Sequence, residues 1–323
     1  MGPAPGVVVE EFGDQPQAVA WYRVEHQALL AAVAAAAESG YDVHAGHLPV
    51  GMTYFLDSGG HWNDLVSVQQ TALVVARCNG DLSAQARAHR VLGQSHVCLG
   101  EVDEGERHLC AALTLQSDLD DPFGEATLLM SLGWLLDHEG EHGRAAEDGC
   151  RAFELFGNGG HRFGQGDALC LVGWAQAQSG DYEEAVATCG SALAVYRELD
   201  EQVPQVAVHF VLGRVDRRQG RFGEAIARYQ LALGLLDGTD EPSSRVEMLR
   251  NIGDTHEEAG DLGAAVRSWE GALAVLDDPR HPHAQAGSVL WPAARPAPAR
   301  AAARAAGSRT RWTGWTPRPG PAP

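Results

Sequence analysis

The stretch Gly173–Leu193 reads GWAQAQSGDYEEAVATCGSAL and contains a skeleton that recurs along the chain. Two glycines stand seven residues apart and are followed by Ala185 and the pair Ala192-Leu193. The first glycine returns every 40 residues as Gly93, Gly133, Gly173, Gly213 and Gly253. The second returns as Gly100, Gly140, Gly180, Gly220 and Gly260. A fixed period in this range predicts a protein of stacked repeats.

Each repeat reads as two helices joined by a tight turn. In the third copy, apolar residues at helical spacing predict a helix over Asp167–Gln178. Gly180 is expected to end it in the left-handed conformation, which glycine adopts at little cost. Asp181 then suits the start of a second helix, Tyr182–Glu198, because its carboxylate can cap free N–H groups. One face of this helix would be apolar, with Ala185, Val186, Cys189, Ala192, Leu193 and Tyr196.

Gly173 is predicted to lie inside a helix, where glycine costs about 1 kcal/mol relative to alanine. A glycine that recurs at this position therefore needs a physical reason. We expect close approach of the partner helix, through the small residues Ala185 and Ala192. One helix pair cannot cover its own apolar face, whereas stacked neighbours can, so stability should be roughly additive along the stack.

The charge of the chain is strongly negative and unevenly distributed. The net charge is −19, and all 24 basic residues are arginine. Seven of them, and no acidic residue, follow Asp278, which leaves 17 arginines against 43 acidic residues in the body, a balance of −26. An acidic body argues against nucleic-acid binding by the repeats. Without lysine there is no P-loop lysine and no Schiff-base lysine.

The composition also bears on the compartment. The chain opens without a charged-then-apolar leader, and its longest apolar run, near 29–37, is too short to span a bilayer. No two of the six cysteines form a CxxC pair. Cys110 and Cys150 stand one repeat apart, which is beyond disulfide reach. We therefore predict a cytoplasmic protein with buried free thiols.

Four regions follow from the pattern. Residues 1–15 are predicted to be a flexible leader, and residues 16–80 a capping helix with a degenerate repeat. Five repeats occupy residues 81–278. Residues 279–323 are rich in Pro, Ala and Arg and are predicted to be disordered. A basic tail that binds acidic surfaces and out-of-frame translation of a GC-rich gene are two open explanations of that last segment.

Two local motifs imitate catalytic ones. His138 and His142 match HExxH, but the repeat turn glycine Gly140 lies between them, so they should sit on different helices and not form a zinc site. The glycines of 157–160 and 164–166 lack the preceding strand of a dinucleotide site, and a loose connection between repeats is expected there. The fourteen histidines show no ligand spacing. We predict no enzyme activity, cofactor or metal.

The skeleton resembles the tetratricopeptide repeat. Leu92-Gly93, Leu132-Gly133, Leu212-Gly213 and Ile252-Gly253 match the Leu-Gly pair of that family's first helix. Ala145, Ala185, Ala225 and Ala265 match an alanine of its second helix. The resemblance implies an all-α fold, a right-handed α-solenoid of stacked antiparallel helix pairs. The family's usual step is 34 residues, so the longer step here must go into longer helices or longer inter-repeat turns.

In a solenoid of this type the first helices line a concave groove, where a partner would bind. The groove is expected to be aromatic in the middle, basic at the fourth repeat and acidic at the fifth. Packing of Trp134 and Trp174 between repeats, as core, is the alternative. The predicted groove residues are Arg90, Gln94, Met130, Trp134, Cys170, Trp174, Phe210, Arg214, Arg217, Arg218, Arg250 and Asp254.

Residues 17–278 further resemble the C-terminal repeat region of actinobacterial regulators of the Streptomyces antibiotic regulatory protein and AfsR-like type. The features are the helix containing Trp21, Glu25 and Leu29, the Gly60-His61-Trp62 turn and the repeated Gly-Trp pair. The resemblance implies a non-enzymatic scaffold that binds a protein or peptide in bacterial transcriptional control or signalling. A regulator's ATPase or DNA-binding module is one possible partner. Sensing of a small molecule or signalling peptide, with a change of superhelix shape, is the alternative.

Overall fold

The computed structural model describes residue 12 and residues 15–116, 118–239 and 241–276. The predicted tail, 279–323, and most of the predicted leader lie outside these residues. The described part is all-α, as predicted, and contains thirteen helices and no strand. They are α1 (Gln15–Glu38), α2 (Asp42–Ser58), α3 (Trp62–Cys78), α4 (Leu82–Leu99), α5 (Val102–Gln116), α6 (Pro122–His138), α7 (His142–Asn158), α8 (Arg162–Ser179), α9 (Tyr182–Glu198), α10 (Val203–Arg218), α11 (Phe222–Leu235), α12 (Pro242–Glu258) and α13 (Leu262–Leu276).

The chain turns at a finer interval than the repeat, namely every 20 residues. Nine glycines with positive φ stand at multiples of 20, from Gly40 (φ 71°) to Gly260 (φ 87°). At each of them the next backbone N–H reaches back to a carbonyl five residues earlier, as Asp181 N does to Gln176 O at 2.9 Å. Asp200, with φ 57°, takes the glycine's place in one turn. The extra length of the repeat therefore lies in the helices, since α2–α13 have 14 to 18 residues.

The third copy follows the prediction closely. Gly180 adopts the left-handed conformation at φ 93° and ends α8, as expected. The predicted capping by Asp181 is wrong, because its side chain makes no cap hydrogen bond. Asp81 and Asp261 do cap their helices, each accepting a backbone N–H three residues later at 2.9 Å. The carboxylate at this position therefore caps only in some repeats.

The second helix of that copy buries most of its predicted face. Ala185, Cys189, Ala192, Leu193 and Tyr196 are buried. Val186 is 42% exposed, so its assignment to the buried face is wrong. Because Val186 directly follows Ala185, it lies about 100° further round the helix and points outside the narrow packed stripe.

The recurring mid-helix glycine is explained by close packing. A Cβ on Gly173 would lie 2.8 Å from Cys189 Sγ and 3.5 Å from Ala185 O. Cys189, and not the predicted Ala192, is thus the nearest neighbour along with Ala185. In the next copies the second helix brings rings to this place: a Cβ on Gly213 would lie 2.5 Å from the ring of Tyr229, and one on Gly253 2.3 Å from Trp269. Only glycine leaves room for these contacts.

Contacts divide the chain into two compact units. The first comprises residues 1–131 and 238–240, and the second comprises 132–237 and 241–323. Within the first unit, consecutive helices from α1 to α5 pack against each other. Within the second, consecutive helices pack from α7 to α13, and α8 also contacts α10, the first helix of the next pair. The core of the second unit contains Trp174, Tyr196, Phe210 and Tyr229.

The imitation motifs resolve as structural elements. His138 ends α6 and His142 begins α7, with Gly140 (φ 86°) between them, so the histidines lie on different helices as expected. The loose connection predicted for the second motif is wrong. Gly164 and Gly166 lie within α8, where an added Cβ would meet the rings of Phe156 and Tyr196 at 2.7 Å.

All six cysteines are free thiols, as predicted. Their predicted burial holds for Cys98, Cys170 and Cys189 only. Cys78, Cys110 and Cys150 are exposed. Among the described helices, none combines the length and hydrophobicity that crossing a bilayer requires.

Candidate binding site on the first helices of the second unit

The first helices of the second unit, α8, α10 and α12, bring most of the predicted groove residues together. Three of these residues, Cys170, Trp174 and Phe210, are at most 5% exposed and belong to the core. They cannot touch a partner in this conformation, so their prediction as contact residues is corrected. The half-buried or exposed members of the predicted set in this unit are Trp134, Arg214, Arg217, Arg218, Arg250 and Asp254.

Trp174 and Phe210 form a stacked pair between α8 and α10. Their ring centroids are 5.8 Å apart with an interplanar angle of 12°. The indole Nε1 of Trp174 donates a hydrogen bond to the buried carboxylate of Asp137 at 2.6 Å. The alternative interpretation of Trp174 as core is therefore the one that the structure supports. Trp134 is half-buried and packs against the same core.

Arg214 covers this aromatic pair. Its guanidinium carbon lies 4.8 Å from the Trp174 ring centroid and 5.7 Å from that of Phe210, a cation–π arrangement. Among the described residues it makes no hydrogen bond, and no carboxylate lies within 4.0 Å of it. Burial lowers the pKa of Arg214 below its usual value, but a guanidinium remains charged at neutral pH. Arg214 is therefore a half-buried cation whose donors are unused.

Two further donors next to Arg214 also lack partners. The hydroxyl of Tyr229 is buried without a hydrogen-bond partner in the described residues, and so is Nη2 of Arg250. Burial raises the pKa of Tyr229 well above its usual value, so the hydroxyl stays protonated, while the charges of Arg214, Arg217 and Arg250 act in the opposite direction. A buried unpaired donor costs about 1–3 kcal/mol. Three donors in one neighbourhood indicate a place for an acceptor.

The surrounding arginines are paired with acids of α12. Arg217 donates two hydrogen bonds to Glu258, at 2.9 and 2.7 Å. Arg250 donates through Nη1 to Asp254 at 3.1 Å, and Glu247 lies 3.9 Å from its Nη2. Arg218 is exposed and donates to Gln178 at 3.2 Å. The predicted basic fourth and acidic fifth repeats therefore largely neutralise each other and leave Arg214 unpaired.

The predicted groove residues of the first unit are arranged separately. Arg90 donates to Gln94 at 3.0 Å, and both are half-buried, as is Met130. Arg90 and Arg87 line a cavity of about 90 Å³ with Gln116 and Asp121. Gln116 already donates to the backbone carbonyl of Asp121 at 2.8 Å. This cavity has room for water and no unused buried donor is recorded at its wall.

Sequence reasoning missed a group of histidines in the first unit. His89 and His96 on α4 meet His108 on α5, with His89 Nδ1 2.9 Å from His108 Nδ1. The rings of His96 and His108 stack with centroids 5.4 Å apart. The available signal was hairpin symmetry: residues equally distant from the turn at Gly100 face each other, as His96 and Glu104 do. Linear ligand spacing does not reveal such pairs.

Comparison with known proteins supports the fold. A sequence model of the tetratricopeptide repeat family matches residues 164–238. No curated protein matches the chain. The Rap protein complexed with competence and sporulation factor superposes with a TM-score of 0.59 at 13% identity, covering 81% of this chain and 77% of that one. BtubC from P. vanneervenii gives 0.53 at 19% identity, with 66% and 90% covered.

A third solved structure is the signal transduction ATPase with numerous domains from Pyrococcus horikoshii, which has a tetratricopeptide repeat sensor. Its TM-score is 0.55 at 12% identity, and the match covers 75% of this chain. The chain matches only 37% of that protein's length. These likenesses establish that the fold is that of tetratricopeptide repeat scaffolds.

Proposed function

We propose that the chain is a regulatory binding scaffold whose second unit captures an acidic group of a protein or peptide. The observation that supports this proposal is the half-buried guanidinium of Arg214, which lies over Trp174 and has no hydrogen bond or ion pair among the described residues. A carboxylate could accept from this fork in a bidentate manner, which is the geometry that arginine favours.

The neighbouring donors extend the same requirement. The Tyr229 hydroxyl and Arg250 Nη2 each need an acceptor, and a carboxylate has about four lone pairs to offer. The aromatic pair beneath Arg214 fixes the guanidinium plane, so less side-chain freedom is lost when a ligand binds. The ligand group would be an Asp or Glu side chain or a C-terminal carboxylate within an extended segment.

The test is peptide selection against the immobilised full chain, followed by calorimetry. Selected peptides should be enriched in acidic residues. Arg214→Gln should weaken their binding by about 30-fold, because a partly desolvated ionic hydrogen bond contributes about 2 kcal/mol. The matched control is Arg267→Gln, an exposed arginine on a second helix of the same unit, which should leave the affinity unchanged.

Two outcomes would contradict the proposal. Selection of basic or purely apolar peptides would show that Arg214 does not choose the ligand. Equal affinities of wild type and Arg214→Gln for the acidic peptides would place their binding elsewhere. If no peptide is selected but a small carboxylate raises the melting temperature of wild type and not of the variant, the sensing alternative would take precedence.

We further propose that this binding serves transcriptional control or signalling in bacteria. The basis is the resemblance of residues 17–278 to the repeat region of antibiotic regulatory proteins, together with the sensor repeats of the Pyrococcus ATPase. Affinity purification of the tagged full chain from its host tests this. Retention of a regulator's ATPase or DNA-binding subunit, lost in Arg214→Gln, would support the role, and retention of unrelated proteins only would count against it.

A further inference from the structure

A cluster of ionisable side chains at the turn between α4 and α5 is not used by the proposed peptide site. His96 near the end of α4 faces Glu104 and His108 on α5. One ligand atom from each of the three lies within 4.8 Å of the others. His96 is buried, and Glu104 and His108 are half-buried. We propose that these three side chains bind a zinc ion that bridges the two helices.

The donor set and its spacing agree with that ion. Two imidazoles and one carboxylate are a ligand set that Zn²⁺ takes, with a fourth position left for water. Glu104 Oε1 lies 3.4 Å from His108 Nε2. Zinc bonds of about 2.1 Å in a tetrahedron place neighbouring ligand atoms about 3.4 Å apart. Glu104 and His108 are one helical turn apart on α5, so both point to one side.

His96 is oriented as a ligand by a second carboxylate. Its Nδ1 lies 2.6 Å from Glu101 Oε2, which leaves Nε2 as the nitrogen that would bind the ion. A carboxylate behind a metal-binding imidazole fixes the ring and raises its basicity. Glu101 is the turn residue after Gly100, so the α4–α5 turn itself supplies this support.

His108 is connected to a chain of donors that competes with the ion. Arg77 Nη2 lies 3.2 Å from His89 Nε2, and a guanidinium can only donate. The proton of neutral His89 is therefore on Nδ1, from which it is donated to His108 Nδ1 at 2.9 Å. Neutral His108 then carries its proton on Nε2, facing Glu104. Glu104 also pairs with the exposed Arg107.

Zinc must reverse this chain of donors. The ion displaces the Nε2 proton of His108, so His108 takes up a proton on Nδ1 and donates it to His89 Nδ1. His89 then carries its own proton on Nε2, so that each ring keeps one proton and the pair stays neutral. The Nε2–H of His89 now faces a donor, and the exposed side chain of Arg77 must turn away. Arg77 is thus a competitor of zinc binding.

The test is zinc titration of the metal-stripped full chain by competition calorimetry, with Co²⁺ absorption to report tetrahedral coordination. We expect one strong equivalent and a higher melting temperature with zinc, since the ion binds only the folded hairpin. His96→Gln should lose affinity by more than the about 100-fold upper range of outer-shell changes. Arg77→Gln should tighten binding about 10-fold, because the glutamine oxygen can accept from His89.

The matched control is His26→Gln. His26, His61 and Asp64 form the other possible cluster in the described residues, with His26 Nε2 3.0 Å from Asp64. His26→Gln should leave the strong equivalent unchanged. Absence of strong binding in wild type, or its retention in His96→Gln, would overturn the proposal. Weaker binding in Arg77→Gln would also overturn it, and that exposed substitution does not threaten folding.

Discussion

The α4–α5 hairpin of the first unit and the α10–α11 hairpin of the second have the same skeleton and different contents. Both have the mid-helix glycine and the left-handed glycine that turns the chain, Gly93 and Gly100 in one and Gly213 and Gly220 in the other. At the inter-helix positions the first hairpin has imidazoles and carboxylates, and the second has aromatic rings and arginine. The backbone frame is thus independent of the chemistry that it presents.

The severest test of the shared frame is the mid-helix glycine itself. Gly213→Ala should destabilise the protein by about 3 kcal/mol, because the new Cβ would meet the rigid ring of Tyr229 at 2.5 Å. Gly93→Ala should cost less, since part of its conflict is with the rotatable side chain of Leu109. Urea unfolding measures both.

The control for this pair is Gly190→Ala in α9, where a Cβ would meet nothing within 4 Å. It should stabilise by about 1 kcal/mol through helix propensity alone. A stabilising Gly213→Ala would disprove the packing explanation of the frame.

The second test concerns pH, because burial leaves a carboxyl in the second unit that prefers to be neutral. Burial raises the pKa of Asp167 to about 6, although the hydrogen bond from Tyr196, at 2.6 Å, favours the charged form. A raised pKa means that its stabilising effect is complete below the unfolded value near 3.8 and is lost as pH rises through about 6. Asp167→Asn should keep the Tyr196 hydrogen bond and remove this loss.

The free energy of unfolding of Asp167→Asn, relative to wild type, should therefore rise by about 2 kcal/mol between pH 4 and pH 7. Urea titrations at both values provide the number, and taking the difference cancels the histidines. A constant difference across this range would mean that the carboxyl is ionised throughout.

A smaller effect separates binding from stability in the arginine-containing hairpin. Tyr229→Phe removes a buried hydroxyl that has no partner in the described residues, so the free protein should gain about 1 kcal/mol. The same change should weaken an acidic peptide, because one donor to its carboxylate is gone. Thermal unfolding and calorimetry report the two signs. Weaker stability with unchanged affinity would make Tyr229 a packing residue only.

The smallest predicted effect concerns the turns. Asp200 adopts φ 57°, where its neighbours in register have glycine. Asp200→Gly should stabilise by about 0.5 kcal/mol as backbone strain is relieved, less the entropy that glycine brings to the unfolded chain. Thermal unfolding at matched conditions measures the difference. Destabilisation would indicate that the Asp200 side chain supports the turn.

How far the sequence predicted the molecule depended on the range of the interactions concerned. Turns at Gly140 and Gly180 follow from local backbone preference, so the helices and their boundaries could be predicted. Contacts between helices depend on rotation about the helix axis, which the pattern leaves open by a residue. For this reason Val186 was placed on the wrong face and Trp174 among the partner contacts.

The candidate sites were harder because they depend on what is missing or on what folding brings together. Arg214 was expected in the groove, but its lack of a carboxylate results from the pairing of Arg217 with Glu258, 41 residues away. His89 and His108 are 19 residues apart and meet only after the hairpin closes. Neither relation is visible in spacing along the chain.

The regular placement of the turns has a consequence at the level of the gene. Because left-handed residues stand at a 20-residue interval, loss or gain of one 40-residue step by unequal recombination returns each later turn and glycine to an equivalent place. Loss of half a step would keep every turn, yet it would exchange first and second helices and put Gly213 where Leu233 now stands. Lineages of such a gene should therefore differ by whole hairpin pairs, and their lengths should be quantised.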